Sequence, residues 1–245
     1  MENKKTALIT GGAGVLGVAA ASKLLERGCQ VVLVDIDEQK LEQTATALAG
    51  NVHLRAFDIS DPDAVEENME QILKHVCGID ILLNNAGILS NHKSADTTPE
   101  EWQRILAVNL SGSFYISRLC IPGMKEKKWG RIINTTSVAA KTGGITAGTA
   151  YSASKGGMMS LTFSLAAELA PFGITVNGIA PAYVKTPMVT KQLSEKKKRE
   201  LLKKIPVGRF SEPDEFAHVV SFLVDPLAGF ITGEIIDING GLYFD

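Results

Sequence analysis

The chain of 245 residues has a composition typical of one globular domain. Hydrophobic residues make up 45% of it and charged residues 21%, which provides a core and excludes disordered and collagen-like chains. The 25 Lys and Arg residues nearly balance the 27 Asp and Glu residues. The resulting net charge of -2 argues against partners such as nucleic acid or an anionic membrane.

Three cysteines, Cys29, Cys77 and Cys120, lie far apart in the chain. They form no CxxC pair and leave one thiol over, so neither a disulfide framework nor a thiolate zinc site is expected. A cytoplasmic, reducing compartment fits this pattern best.

An apolar stretch near the N-terminus follows two lysines as in a secretory signal, but glycines interrupt it. No apolar run reaches the ~18 residues of a membrane span.

Short β-branched segments alternate with longer amphipathic segments along the chain. The predicted strands, apolar without strict alternation, are Thr6–Thr10, Gln30–Asp35, Val52–Phe57, Asp80–Asn84, Gly130–Thr135, Ile174–Ile179 and Glu234–Ile238. The predicted helices are Leu16–Arg27, Glu38–Leu48, Pro62–Val76, Pro99–Leu119, Ala150–Leu169 and Pro213–Leu223. This alternation predicts an α/β fold with a doubly wound parallel sheet of about seven strands and helices on both faces, a three-layer sandwich.

The segment Thr10–Gly17, TGGAGVLG, connects the first strand to the first helix. Glycines at this place allow a tight turn and a close approach of the backbone to a pyrophosphate, which the helix N-terminus attracts. Asp35 ends the second strand 18 residues after Gly17, near the ~20 expected for an acid that binds the adenosine ribose. Because its charge repels a 2′-phosphate, the sequence predicts NAD rather than NADP as the cofactor.

Tyr151 and Lys155 lie four residues apart at the start of a predicted helix and therefore share one face. A phenol with a pKa of about 10 is a poor base near neutrality, and a neighbouring ammonium lowers that pKa. Such a phenol can exchange the proton of an alcohol while a nicotinamide carries the hydride. A YxxxK pair arises by chance in many helices, so it indicates a catalytic site only together with other motifs of the chain.

These motifs occur in an order that resembles the short-chain dehydrogenase/reductase family, in its single-domain, NAD-dependent branch. The order also includes Asp58, the NNAG segment at Asn84–Gly87, Asn109, Ser137, PAYVKT at 181–186 and TGEIIDINGG at 232–241. The resemblance covers the whole chain and implies one Rossmann-fold domain over residues 1–245. It also implies a homotetramer or a homodimer.

The resemblance implies a role for each matched residue. Tyr151 is the general acid/base, Lys155 lowers its pKa and holds the nicotinamide ribose, and Ser137 binds the substrate oxygen. Asn109 holds a water that connects Lys155 to solvent. The residues implied in cofactor binding are Gly11, Gly14, Val15, Leu16, Gly17, Asp35, Asp58, Ile59, Asn85, Ala86, Gly87, Tyr151, Lys155, Val184 and Thr186. Taken alone, the serine and the asparagines also fit ordinary caps and turns.

Three departures from the family pattern stand out. Val15 occupies the central glycine position of the usual TGxxxGxG turn, a spacing that resembles the branch with sugar-nucleotide epimerases. The usual Pro-Gly after the sixth strand is Pro181-Ala182. Ser137 and Tyr151 are separated by 14 positions, one more than is common, which predicts an extra loop residue between them.

A basic segment, Lys191–Lys204, carries seven basic and two acidic residues. Two interpretations are open. The segment is either a solvated helix face or part of a lid, at about residues 185–210, whose positive charge attracts an anionic substrate.

Several functions fit these observations. The main hypothesis is an NAD(H)-dependent oxidoreductase that interconverts a secondary alcohol (polyol, sugar or hydroxy acid) and its ketone. The alternative is a 3-oxoacyl-thioester (acyl carrier protein) reductase, whose acidic carrier the basic segment would attract, although such enzymes usually take NADPH. An epimerase is disfavoured because no substrate domain follows the sheet. A non-enzymatic NAD-sensing protein is disfavoured by the intact catalytic set.

The expected partner is therefore a small-molecule alcohol or ketone, with no nucleic acid and no membrane. No metal site is expected, because the four histidines (His53, His75, His92 and His218) lie in separate segments without an HxxxH pair or a Cys/His cluster. The absence of a GxSxG segment argues against an esterase on an α/β sheet.

Overall fold

The computed structural model of the chain describes residues 4–186 and 194–244. Within these ranges a single sheet has seven parallel strands in the order β3-β2-β1-β4-β5-β6-β7. The strands are β1 (Thr6–Thr10), β2 (Gln30–Asp35), β3 (Val52–Ala56), β4 (Ile81–Asn84), β5 (Gly130–Thr135), β6 (Ile174–Pro181) and β7 (Ile235–Ile238). The predicted doubly wound α/β sheet is confirmed, and predicted strand ends differ from the observed ones by two residues at most.

Helices cover both faces of the sheet. They are α1 (Val15–Glu26), α2 (Glu38–Ala47), α3 (Pro62–Val76), α4 (Pro99–Leu106), α5 (Gly112–Lys127), α6 (Val138–Thr142), α7 (Thr149–Leu169), α8 (Glu195–Leu202) and α9 (Pro213–Leu223). The sequence did not predict α6, because five residues are too few to show a helical period.

Alternate residues of each strand point to opposite faces and build two apolar clusters. On β1, Leu8 packs with α3, α5 and α7, whereas Ala7 and Ile9 pack with α1, α2 and α9. All three side chains are fully buried. Since a buried Leu or Ile contributes about 1.5–3 kcal/mol of transfer free energy, these two clusters are the main source of stability. The two clusters fix the positions of the strands, and with them the loops that follow the carboxyl ends of the strands.

A π-helical segment, Ala107–Ser111, joins α4 and α5 into one continuous helix from Pro99 to Lys127. The helix is longer than predicted and continues through Pro122. It is long and apolar enough to cross a membrane by composition alone, a property that core helices of globular proteins share. Its Ile116 side chain is fully buried against the sheet, as in such a core helix.

The basic segment folds in part into α8, where Leu201 and Ile205 pack against Phe210 and the ring of Tyr183. Residues 187–193, which include part of the predicted lid, lie outside the described residues. The lid itself stays a prediction.

Strands β1 and β4 are neighbours, with β2 and β3 following on the β1 side and β5, β6 and β7 on the β4 side, so the topological switch point lies between β1 and β4. Ligands of open α/β sheets bind at this point, in the crevice beyond the carboxyl ends of the strands. The turns that follow β1, β2, β4, β5 and β6 all open toward that edge, because the strands are parallel. The fold therefore brings segments from distant parts of the chain to one place.

We expect Gly17→Ala to lower the free energy of unfolding by about 1–3 kcal/mol, since its Cβ would clash with the carbonyl oxygen of Gly11. The matched control is Gly123→Ala on α5, where an added Cβ meets nothing within 4 Å. This control is expected to be neutral or to stabilise by about 0.5–1 kcal/mol. Urea unfolding measures both changes, and equal stability of the two variants would contradict the packing of α1 on the turn.

Candidate active site

A cleft of about 560 Å³ opens at the carboxyl edge of the sheet. The predicted site residues that line it are Gly11, Gly14, Val15, Leu16, Asp35, Asp58, Ile59, Asn85, Ala86, Gly87, Ser137, Tyr151, Lys155, Val184 and Thr186. The structure thus brings together nearly all of the residues that the motifs singled out. The two exceptions, Gly17 and Asn109, lie directly behind the lining.

The glycine turn between β1 and α1 brings the N-terminus of α1 to the wall of the cleft. Gly11 has φ of +64°, and a Cβ there would approach the Cα of Ala86 to 2.8 Å, so only glycine fits. Helix α1 begins with Gly14 as its N-cap, without a side-chain cap and without an acidic residue in its first turn. Such a helix N-terminus attracts anions such as phosphates. Val15, at the first position of the helix, lies on the wall of the cleft and is 37% exposed.

Asp35 lies at the end of β2 and is tied to the glycine turn. One carboxylate oxygen accepts a hydrogen bond from the backbone N–H of Ala13 at 3.0 Å, and the other accepts one from Asp37 at 3.3 Å. The negative charge is therefore fixed beside the cleft. The next side chain, Ile36, is exposed and carries no positive charge that would compensate it.

Two further turns form the wall opposite the glycine turn. The Asn85 side chain donates to the carbonyls of Thr10 and Gly11 at 3.1 and 3.2 Å, which fastens the end of β4 to the turn. Asp58, after β3, is held by the backbone N–H and the hydroxyl of Ser60 at 2.9 and 2.7 Å. The first pair of bonds holds the end of β4 against the glycine turn, and the second pair fixes the carboxylate of Asp58 within its own turn.

At the other end of the cleft, Lys155 is 3% exposed, and its Nζ donates to the carbonyl oxygen of Thr135 at 2.7 Å. Burial lowers the pKa of this ammonium to about 8. A proton on Nζ is therefore exchangeable near neutral pH. Nζ lies 5.9 Å from the centroid of the Tyr151 ring, so the two groups face the same space, as their spacing predicted.

Ser137, the N-cap of α6, lies with Tyr151 at this end of the cleft, and its hydroxyl is the hydrogen-bonding group that acts on the phenol. Burial raises the pKa of Tyr151, and the bond with Ser137 opposes this effect only in part. In this structure the burial of the phenol outweighs the attraction of its neighbours. The implied role of Lys155 in lowering the pKa of Tyr151 stays a prediction.

Asn109 lies in the π-helical segment between α4 and α5 and is fully buried. Its Oδ1 accepts from the N–H of Ile88 at 2.8 Å, and its Nδ2 donates to the carbonyl of Ile88 and to Ser154, each at 3.0 Å. Segments of this kind occur frequently at functional sites. A Cβ on Gly87 would lie 3.3 Å from Oδ1 of Asn109 and 3.4 Å from Nζ of Lys155, so this glycine keeps the space between them open.

The end of β6 completes the cleft. Val184 is buried and forms an isolated bridge with Ser211, while the N–H of Thr186 donates to the carbonyl of Val184 at 2.7 Å. Nearby, the hydroxyl of Tyr183 lies 3.2 Å from that of Thr146. The chain after β6 is thereby connected to the loop before α7.

Sequence reasoning missed a clamp that holds the start of α7, two residues before Tyr151. The Nζ of Lys93 donates to the carbonyls of Gly144 and Ala147 at 3.0 and 2.6 Å. Beside it, the carbonyl of Ser90 accepts from the N–H of Gly148 at 2.7 Å. Glu101 of α4 accepts hydrogen bonds from Ser90 and His92 and fixes the loop. No motif marks this clamp, because its partners are about fifty residues apart.

Two cationic side chains that line the cleft were also missed, namely Lys40 of α2 and Arg104 of α4. Both are exposed, and nothing in their spacing distinguishes them from other surface cations.

Comparison with known proteins agrees with this geometry. A family model described as enoyl-(acyl carrier protein) reductase matches residues 11–243. A 3-oxoacyl-[acyl-carrier-protein] reductase of Aquifex aeolicus is 37% identical over 98% of this chain and 97% of its own length. The reductase of the same name from Vibrio cholerae is 38% identical over 98% and 97%. The chain therefore belongs to the short-chain dehydrogenase/reductase family, as its motifs predicted, and is an oxidoreductase of that family.

Two solved structures have the same fold over nearly all of the chain. NAD+-bound xylitol dehydrogenase has a TM-score of 0.90 at 28% identity and covers 98% of this chain and 99% of its own. Levodione reductase has a TM-score of 0.92 at 31% identity, with 97% and 96% covered.

If the clamp positions α7, Lys93→Met should lower kcat by roughly ten- to a hundredfold, since small misplacements of reacting groups cost about that much. Because the first turn of α1 and Asp35 make no contact with the clamp, the Kd for the cofactor should change much less than kcat does. Steady-state kinetics and a fluorescence titration measure the two effects. Lys23→Met, which removes only a surface pair with Glu26, is the control. An unchanged kcat for Lys93→Met would show that the clamp does not position the site.

Proposed function

We propose that the chain transfers hydride between a nicotinamide cofactor and a carbonyl or secondary-alcohol substrate, with Tyr151 as the general acid/base. The observation that carries this proposal is the convergence of three groups at one end of the cleft: Ser137, Tyr151 and Lys155. The uncapped N-terminus of α1 lies in the same cleft. An anionic ligand that binds the turn can thus extend toward the phenol of Tyr151.

The residues present fit a dinucleotide. The first turn of α1 would hold the pyrophosphate, Asp35 the adenosine ribose, and Val184 with Thr186 the nicotinamide carboxamide. The space that Gly87 leaves beside Asn109 and Lys155 would take the second ribose. When bound, the nicotinamide supplies or accepts the hydride.

In carbonyl reduction, the substrate carbon receives the hydride and its oxygen receives the phenol proton of Tyr151. A raised pKa suits this role, because it keeps the phenol protonated and able to donate. Ser137, which contacts the phenol, orients the substrate oxygen. Lys155 then returns a proton to Tyr151, and its pKa of about 8 allows this exchange near neutral pH. Asn109 connects this region to the backbone of Ile88.

For the substrate class, the relatives favour the 3-oxoacyl thioester over the polyol of the main sequence hypothesis. We therefore propose reduction of a 3-oxoacyl thioester, with an acyl carrier protein as its carrier. The basic residues of α8 support this proposal, because they offer an acidic carrier a positive surface on a helix whose Leu201 packs against Tyr183, next to Val184 of the cleft.

A polyol dehydrogenase is the second candidate, since two observations favour it. Asp35 is fixed where it would repel a 2′-phosphate, and the NAD+-bound xylitol dehydrogenase has the same fold. NAD(H) is accordingly the cofactor we propose for either substrate.

We also propose a cytoplasmic homotetramer or homodimer. The large apolar side chains of Phe222 on α9, of Leu227 and Phe230 between α9 and β7, and of Phe163 on α7 are exposed. Exposed apolar groups at these places fit contacts between copies of the chain.

We expect Tyr151→Phe to lower kcat by about 10²–10⁴-fold and to leave NADH binding unchanged, since only the proton donor is lost. The assay follows NADH oxidation with a 3-oxoacyl thioester and NAD+ reduction with a polyol panel. Turnover of the thioester alone supports the reductase, and turnover of a polyol alone supports the second candidate. Full activity of the variant would contradict the role of Tyr151. If the unmodified chain turned over neither the thioester nor any polyol, the proposed hydride transfer with these substrates would be contradicted.

NADH is expected to bind at least about tenfold more tightly than NADPH, because Asp35 repels the added phosphate. Asp35→Asn keeps an oxygen that accepts from the N–H of Ala13, and it should reduce the difference between the dissociation constants of NADH and NADPH. Asp37→Asn, which changes a neighbouring charge and keeps an N-cap for α2, should not narrow it. Fluorescence titrations measure both dissociation constants, and preference of the unmodified chain for NADPH would contradict the cofactor proposal.

A further inference from the structure

The fold brings two of the four histidines into contact. His53 lies on β3, at the edge of the sheet, and His75 lies in the last turn of α3. The Nδ1 of His53 is 3.1 Å from the Nε2 of His75. Their rings meet edge to face, with an angle of 74° between the planes. Neither residue lines the cleft, so the pair is separate from the active site.

This nitrogen separation is the one that a shared metal ion requires. Two imidazole nitrogens at ~2.0–2.1 Å from one ion are about 2.9 Å apart at a right angle and about 3.3 Å apart at a tetrahedral angle. The observed 3.1 Å lies between these values. Binding therefore needs only small ring rotations and no movement of the backbone.

A second partner is already in place on the far side of His53. The side-chain nitrogen of Gln30 lies 2.8 Å from the Nε2 of His53. Rotating the amide by 180° replaces this nitrogen with oxygen, which then accepts the ring N–H when the other ring nitrogen binds metal. Metal-binding histidines nearly always have such a partner, and it fixes their tautomer.

We propose that His53 and His75 form a binding site for a late first-row divalent cation, of which Zn²⁺ and Cu²⁺ are the ions that imidazole prefers. Water fills the remaining positions, because no group of three or more His, Cys, Asp and Glu residues converges within residues 4–186 and 194–244. Such a site is exchangeable rather than permanent. A bound ion would link the edge strand β3 to α3.

The electrostatic surroundings agree with this assignment. Partial burial and the neighbouring imidazole lower the pKa of His53, which favours the neutral ring that binds a metal ion. His75 is exposed at the surface, which gives an ion access to the pair.

The test is a Zn²⁺ titration of the full chain without a histidine tag, in competition with a chromophoric chelator. We expect one ion per chain, bound at least about tenfold more weakly by His53→Gln and by His75→Gln, with a loss of about tenfold for Gln30→Ala. His218→Gln and Cys77→Ser are the controls, since the first removes an unrelated histidine and the second an exposed thiol near His75. Both controls should bind as the unmodified chain does.

A spectroscopic measurement on the unmodified chain tests the proposal even if a variant folds less stably. With Cu²⁺, which binds such ligands more tightly than Zn²⁺, the electron paramagnetic resonance spectrum should show coupling to two nitrogens. The proposal is overturned by the absence of Zn²⁺ binding, which leaves a hydrogen-bonded pair only. Unchanged affinity in His75→Gln, or loss of binding in Cys77→Ser, would overturn it as well.

Discussion

The buried ammonium of Lys155 is the group around which the rest of the cleft is arranged. A charge that is 3% exposed is tolerated only where hydrogen bonds replace water, and the carbonyl of Thr135 supplies one of them at 2.7 Å. Gly87 keeps the space beside it free, and Asn109 forms the wall behind. Burial also brings the pKa of the ammonium to about 8, which makes it a proton carrier rather than a fixed charge.

The parallel sheet connects this group to the opposite end of the cleft. Gly11 and Lys155 are 144 positions apart in the chain, and they line one cleft because the strands before them end at the same edge of the sheet. The hydrogen bonds of Asn85 hold the end of β4 against the glycine turn. The family relationship and the geometry therefore support the same chemistry. The substrate class rests on the relatives, and the cofactor on Asp35.

Much of this arrangement could be predicted from the sequence, because the signals are local. Apolar segments gave the strands, and the motifs gave residues such as Tyr151 that the cleft contains. The missed features depend on tertiary contacts. Lys93 meets its carbonyl partners across about fifty residues, and His53 meets His75 only after β3 packs beside α3. The burial that raises the pKa of Tyr151 also depends on tertiary contacts, so a sequence does not show it.

A crystal structure of the complex with NADH would test the central claim most directly. The account predicts the pyrophosphate on the first turn of α1 and the nicotinamide ribose within hydrogen-bond distance of Lys155 Nζ, with the reactive ring beside the phenol of Tyr151. A dinucleotide bound in the reverse direction, or bound away from both side chains, would contradict it.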